Sequence, residues 1–261
     1  MAKGYRAHSP FKSDAEYGTA LRMNYQAVEE TVKAGYREVS AQYRKDDEIE
    51  VQSANHHRIC ATLKRICASF PHPITILEAG CGTGRYFHCL TNVQELTGLD
   101  ISQEMLRGAE NPVRQELISI PRINLNLGNV YLMTFPKDSF DFIYSLGMFG
   151  HGCPVTVELL NKFHEWLRPG GKLLFNTVDS SGLPMWYRAR RQAREWVYPM
   201  LSKQMQKRLD ERHEKSPFFE LSKGQLEKIL AQSDFPTFQV TSHVCQSPLW
   251  TGRHLECIAS R

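Results

Sequence analysis

The chain has 261 residues, 41% of them hydrophobic and 23% charged, with a formal net charge of +4. These proportions place it among ordinary soluble globular proteins able to bury a full core, and so small a charge does not demand a nucleic-acid partner. No run of 18 apolar residues exists and "MAKGYRAHSPFKSD" lacks the apolar block of a secretory signal, so no membrane association and an intracellular, cytoplasmic location are expected.

From Asp14 to about Asp47, Tyr17, Leu21, Tyr25, Val28, Val32, Tyr36, Val39 and Tyr43 recur at steps of three and four, which predicts an amphipathic helix. Ala54 to Ser69 repeats the pattern with Ile59, Leu63 and Ile66, and "PHP" ends it; His56 and His57 are read as surface residues of this helix. The pattern then changes to short apolar runs: "ITILEAG", "ELTGLDI", "RINLNLGNV", "FDFIYSL" and "KLLFNTV". Such runs predict buried parallel strands. Crossover helices are expected at Arg85 to Thr91, Gln103 to Arg107 and "PVTVELLNKFHEWL". Alternating strand and helix implies right-handed βαβ units in a doubly wound α/β sheet. Beyond a helical insertion, "SKGQLEKILAQSDF" predicts one more helix, and "TFQVTSHVCQ" and "RHLECIAS" predict an antiparallel hairpin at the sheet edge.

Seven cysteines, at 60, 67, 81, 89, 153, 245 and 257, show no C-x-x-C pair. An odd, scattered set argues against a disulfide framework and against a zinc site, so reduced thiols and no metal are expected.

In "ILEAGCGTGRY", Gly80, Gly82 and Gly84 occupy the turn after the first strand. Glycine permits positive φ and lets a ligand approach the main chain, and the amides of the turn and of the following helix start would face it. A dinucleotide fingerprint fails, because Arg85 occupies the third glycine slot counted from Gly80, and no P-loop pattern is present. Sixteen residues after Gly84 comes Asp100, at the end of the second apolar run. Its carboxylate could accept from both hydroxyls of a ribose, or it could cap the helix that begins in "DISQEML".

The E-x-G-x-G-x-G pattern, the downstream acid, "KDSFDFIYSLGMF" and "LRPGGKLLFNT" together resemble the class I S-adenosylmethionine-dependent methyltransferases over Ile74 to Thr177. The resemblance implies a three-layer, Rossmann-like α/β fold with a seven-stranded, mostly parallel sheet whose C-terminal strand is antiparallel. It implies a single domain over 1–261: a helical lid at 1–50, the donor-binding core at 54–179, a helical insertion at 180–220 and the C-terminal helix and hairpin at 221–261. It further implies S-adenosylmethionine as donor. Glu78, Gly80, Cys81, Gly82 and Gly84 would line the methionine end, Asp100 hold the ribose and Ile101 pack on the adenine. Asn129 and Val130 fall beside the adenine edge, with an amide where the family has an acid. Ser145, Leu146 and Gly147 match positions facing the sulfonium, and Tyr43 resembles the tyrosine that closes over the methionine carboxylate.

A sulfonium is already an activated donor, so the protein mainly aligns the acceptor and excludes water. His151, in "GMFGHGCPV", is the candidate general base for a hydroxyl acceptor. Met148, Phe149, Trp186 and Tyr187, with Trp196 and Tyr198, either wall an apolar acceptor pocket or pack the core. Residues 184–215 hold nine Lys or Arg against four acids, read chiefly as a solvated face with pairs such as Glu211 and Lys215. The reading that follows is methyl transfer to O or N of a small molecule. The alternatives are an RNA or protein acceptor, against which the missing N/D-P-P-Y/F motif counts, and a donor-binding protein without transfer.

Overall fold

A computed structural model describes residues 33, 36, 42–150, 153–183, 197, 200–205, 219–249 and 251–261. Residues 42–50 are helical (α1), as expected of the segment's end; most of the segment 14–47 and most of the insertion 184–215 lie outside the described residues. Helix α2 (Ala54–Cys67) starts at Ser53, whose hydroxyl accepts from the His56 amide at 3.0 Å, and buries Ile59, Leu63 and Ile66 on one face.

Five strands follow in the expected order: β1 (Ile74–Ala79), β2 (Val93–Asp100), β3 (Arg122–Leu127), β4 (Phe140–Ser145) and β5 (Leu167–Asp179). Helix α3 (Gln103–Ala109) joins β2 to β3, and α4 (Val157–Trp166), capped by Thr156, joins β4 to β5. The two-residue strand β6 (Glu220–Leu221), helix α5 (Lys223–Ala231) and the hairpin of β7 (Thr237–Gln246) and β8 (Thr251–Ser260) complete the chain. The sheet therefore has eight strands rather than seven, in the order β3-β2-β1-β4-β5-β8-β7 with β6 beside the end of β5. The additional member is β6. Pairings among β1 to β5 are parallel, and β8 runs antiparallel to both β5 and β7.

Strand periodicity divides the core. Leu77, Ala79 and Ile143 face one side with Leu160 and Phe163 of α4 and Leu226 and Leu230 of α5. Ile74, Ile76, Phe142 and Tyr144 face the other with Ile59, Leu63 and Ile66 of α2 and Leu106 of α3. Helices thus cover both faces, as a parallel sheet requires.

One element departs from expectation. Arg85 to Thr91 forms turns and the single 3-10 turn Phe87–Cys89 instead of a helix. The chain reverses at Gly84, φ +76°, where a Cβ would lie 2.8 Å from the Phe87 ring, and is already extended at Leu90, ψ 139°, so a single 3-10 turn fills the space between. The glycine turn accordingly has no helix start behind it; only the turn's own amides can serve a ligand.

The "LRPGG" segment is a bulge within β5. Phe140 pairs with Leu167 but Phe142 already pairs with Lys172, so residues 168–171 are looped out. Asp141 secures this break: its Oδ2 accepts from the Thr75 amide of β1 at 2.8 Å and from Arg168 Nη1 at 2.6 Å. Among the described residues, no helix is long and apolar enough to cross a membrane. Replacing the buried Asp141 with Ala strands the Thr75 amide and the bulge arginine, so Asp141→Ala is expected to destabilise the fold by about 1–3 kcal/mol in a denaturant titration, with an unchanged m-value.

Candidate functional site

The chain builds β1, β2 and β3 outward in one direction, then returns to place β4 on the other side of β1. Adjacent crossovers consequently diverge at the carboxyl ends of β1 and β4, and open α/β sheets bind ligands in that crevice. A cavity of about 390 Å³ lies there. Its lining includes Glu78, Gly80, Cys81 and Gly82 from the end of β1 and its turn, Asp100 and Ile101 from the end of β2, and Asn129 and Val130 after β3. Leu146, Gly147 and Met148 after β4, together with Tyr43 of α1, complete the set of expected residues in it.

Three expected residues stand elsewhere. Gly84 turns toward Phe87, Ser145 is fully buried within β4, and Phe149 packs edge-on against Phe175 at 5.2 Å in the core. In each case an inward-facing position within the packed sheet, or a turn of the chain, removes the side from the crevice. His151, Trp186, Tyr187, Trp196 and Tyr198 lie outside the described residues.

The glycine turn is drawn onto β2 by a side chain. Asp100 Oδ2 accepts from the Gly82 amide at 2.8 Å, and Oδ1 accepts from the Ser102 amide at 2.9 Å. Asp100 is not the cap of α3; Ser102 is, accepting from the Met105 amide at 3.2 Å. Burial raises the Asp100 carboxyl above its ordinary range, against the lowering effect of these amides. At Gly82, φ is +54° and no atom stands within 4 Å of where a Cβ would be, so the main chain there is bare toward the cavity.

Glu78, 1% exposed, receives the Tyr144 hydroxyl proton in a 2.5 Å hydrogen bond from the next strand. Burial pushes its carboxyl up to about 8, the Tyr144 bond opposing the shift. It is therefore a largely neutral acid at neutral pH, held at the cavity wall.

Several lining residues escaped the sequence reading. Asp47 of α1, fully buried, accepts from the Thr83 hydroxyl and the Arg85 guanidinium, clamping α1 onto the glycine turn. Burial works against the Arg85 charge, but the Asp47 carboxylate outweighs it and holds the guanidinium above its ordinary value. Tyr36 lines the cavity beside Tyr43, their rings edge-on at 5.8 Å, and burial keeps its phenol well above 10. Asn176 of β5 accepts from the Gly147 amide at 2.8 Å and fixes the turn after β4. Ser247, Leu249 and His254 bring the C-terminal hairpin to the cavity, with Ser247 donating to Glu50 of α1. Apart from Tyr36, which shares the expected helical stripe with Tyr43, these have no local sequence signal, because each contact joins segments far apart in the chain. Asn129 is engaged locally, its Oδ1 accepting from the Tyr131 amide at 3.0 Å.

Two readings of the cysteines and histidines are corrected here. Cys60 and Cys89 are joined as a disulfide rather than scattered thiols. His56 is buried, not a surface residue, and stacks on Tyr86 at 5.2 Å; His57 is exposed. The signal was present in the pattern of His56 and Cys60 at i, i+4 on one helix and in the adjacent pair of "YFHCL".

A family model described as "Methyltransferase domain" matches residues 51–240. Among similar proteins, the demethylmenaquinone methyltransferase of Lysinibacillus sphaericus is 28% identical over 131 residues, covering 49% of this chain and 54% of the relative. That of Listeria welshimeri is 25% identical over 132 residues, covering 49% and 55%. The chain thus spans about half the length of these relatives. By fold, Haemonchus contortus phosphoethanolamine N-methyltransferase 2, solved with S-adenosyl-L-methionine, aligns with a TM-score of 0.55 at 18% identity over 78% of this chain and 52% of that one. The magnesium protoporphyrin IX methyltransferase of Synechocystis, solved with S-adenosylmethionine bound, aligns with a TM-score of 0.55 at 13% identity over 88% and 96%.

Because the folded Glu78 carboxyl titrates near 8 and its ordinary value is 4.5, its share of stability is greatest below pH 4.5 and is lost as pH rises toward 8. Glu78→Gln, which keeps an oxygen for Tyr144, is expected to melt at a temperature that falls less between pH 5 and 8 than that of the wild type, the difference accumulating at about 1.4 kcal/mol per pH unit at most. Parallel melting curves would show this, and identical pH slopes for both proteins would refute it.

Proposed function

The chain belongs to the methyltransferase domain family of class I S-adenosylmethionine-dependent proteins, and on that premise we propose that it transfers the methyl group of S-adenosylmethionine to O or N of a small-molecule acceptor. One observation carries the donor half: Asp100, at the carboxyl end of β2, holds the Gly82 amide while facing the crevice that the bare glycine turn lines. In this reading Asp100 receives the ribose hydroxyls and Ile101 packs on the adenine. Val130 and Asn129 border the adenine edge. Gly80, Cys81 and Gly82 admit the methionine chain to the main chain, with Glu78 beside its ammonium. Tyr43, on the helix that Asp47 clamps down, closes over the carboxylate. Leu146 and Gly147 stand by the sulfonium.

The acceptor half rests on the cavity's size and covering. The whole cavity, donor side included, is about 390 Å³, and the part walled by Tyr36, Met148, Leu249 and His254 suits a small molecule. The named relatives also methylate small molecules: demethylmenaquinone, phosphoethanolamine and a porphyrin. Enclosure excludes water and positions the acceptor for in-line attack on the methyl carbon, with inversion and departure of the neutral thioether. His151 enters the proposal from its sequence position after β4, as the base for a hydroxyl acceptor; an amine arriving neutral needs none.

Titration calorimetry tests the donor site. S-adenosylmethionine and S-adenosylhomocysteine should both bind, and Asp100→Ala should weaken them by roughly 10- to 100-fold, the cost of charge-assisted hydrogen bonds to two hydroxyls. Failure of the wild type to bind either ligand would remove the proposal.

The neutral Glu78 gives a second test. An ammonium placed beside it favours the carboxylate, so donor binding at pH 7 should release up to about one proton, read from the binding enthalpy in buffers of different ionisation heat. Glu78→Gln should bind with that buffer dependence abolished. Equal buffer dependence in both proteins would place the ammonium elsewhere.

A further inference from the structure

Beneath the glycine turn, on the far side of Tyr86 from the cavity, four side chains converge: His56 and Cys60 from one face of α2, and His88 and Cys89 from the 3-10 turn. Their ligand-capable atoms all lie within 4.8 Å of one another, and among the described residues no other such group occurs. We propose that these four residues form a closed zinc site when Cys60 and Cys89 are thiols, stapling α2 to the turn that lines the donor cavity.

The geometry carries the inference. Tetrahedral zinc with Zn–N of about 2.0–2.1 Å and Zn–S of about 2.3 Å has N–N edges of about 3.3 Å and N–S edges of about 3.5 Å. In the structure His56 Nε2 stands 3.3 Å from His88 Nε2, 3.3 Å from Cys60 Sγ and 3.8 Å from Cys89 Sγ, and His88 Nε2 stands 3.5 Å from Cys89 Sγ. These four separations match four of the six edges of one tetrahedron, and the fifth, from His88 Nε2 to Cys60 Sγ, lies within 4.8 Å. Two imidazoles presenting the same nitrogen to each other and to the same two sulfurs have no other partner that all four could share, since each atom is a better acceptor or metal ligand than a donor to its neighbours. The sixth edge is the sulfur pair, bonded in the structure; the Cα atoms lie 5.0 Å apart, so side-chain rotation opens it once the bond is reduced.

His56, Cys60 and Cys89 are buried and His88 is half-buried, leaving no open coordination position for a substrate, which marks a structural rather than a catalytic ion. Zinc with two thiolates and two neutral imidazoles carries no net charge. It therefore fits a site that already has Arg85 and Arg114 as neighbours. The position also explains the missing helix after the glycine turn. Where the strand-helix alternation led to a helix over Arg85 to Thr91, this chain has a short turn, and a metal cross-link would supply the rigidity that helical packing does not. Tyr86, stacked on His56, and Arg85 both line the donor cavity, so the ion would set the wall of that site without touching it.

The proposal is independent of the donor reading and is tested without an activity assay. A phosphine reductant and water convert the disulfide to two thiols and phosphine oxide, and zinc then displaces the two thiol protons. The full chain, reduced and dialysed against zinc, should retain about one zinc per chain by mass spectrometry. Cobalt in its place should give the visible bands of tetrahedral coordination and thiolate charge transfer. Cys89→Ser and His88→Ala should weaken zinc by more than the roughly 10- to 100-fold that outer-sphere changes cost, whereas Cys67→Ser, at a buried cysteine outside the cluster, should leave it unchanged. Zinc should raise the melting temperature of the reduced wild type and not of His88→Ala. Background zinc in the reduced wild type, or a cobalt spectrum without thiolate charge transfer, would overturn the site and leave a disulfide only. Should the variants misfold, the cobalt titration of the wild type decides alone.

Discussion

Parallel pairing of β1 with both β2 and β4 is the constraint on which the rest of this molecule depends. Each parallel neighbour needs a crossover, and the two crossovers must leave β1 in opposite directions. A crevice at the carboxyl ends is then unavoidable. Everything placed there follows from sequence order: the turn after β1 forms its floor, the end of β2 supplies Asp100, and the loops after β3 and β4 supply Asn129 and Gly147. The glycines are the answer to a spatial problem that the topology creates. Asp100 must reach across from β2 to hold the Gly82 amide, and a turn with side chains on that surface would shut the crevice it encloses.

Around that crevice the protein concentrates buried polar groups that would be costly elsewhere. Asp47, Thr83 and Arg85 satisfy one another, and Glu78 satisfies Tyr144. The two groups differ in kind. Asp47 and Arg85 form a desolvated ion pair whose value lies in fixing one relative placement of α1 and the turn, since a buried pair is weak evidence for net stability. Burial of Glu78 is offset only in part, by the Tyr144 bond and the Arg85 charge, and the carboxylate takes up a proton instead. A neutral acid beside a ligand cavity is a group that a cationic ligand can ionise, so its unfavourable setting becomes favourable on binding.

The sequence disclosed this architecture unevenly, for physical reasons. Apolar runs of strand length located β1, β2, β4 and β5 because both faces of a parallel strand are buried, and the turn-rich "SPLWTG" between the last two runs disclosed the hairpin. Residues that line the cavity through their own backbone or strand end, such as Gly80, Gly82, Asp100 and Ile101, were legible because their roles are local. Ser145, expected at the sulfonium, is buried within β4 because adjacent positions at a strand end point to opposite sides, and of the two readings of Phe149 the core is the one it adopts. The helix after Gly84 was expected from the alternation of strands and helices, but the chain is extended again by Leu90 and leaves room for one 3-10 turn. Asp47 with Arg85, Asn176 with Gly147, and Cys60 with Cys89 each join positions 29 or more residues apart. No periodicity carries such information.

The same distinction separates the two halves of the site. A donor common to a whole family is held by groups that the fold itself delivers to one place, so strand ends and a glycine turn suffice to find it. In the proposed reading the acceptor side is walled by Tyr36 before the first strand, Met148 after the fourth, and Leu249 and His254 on the hairpin. Around them α1 is held onto the glycine turn through Asp47, and the turn of the hairpin is tied to α1 through Ser247 and Glu50, while β8 itself is paired with β5 in the sheet. Elements tied by side chains can change length and composition without disturbing the sheet, which leaves them free to set specificity. That freedom is why the acceptor's identity is written in tertiary contacts and the donor's in the primary sequence.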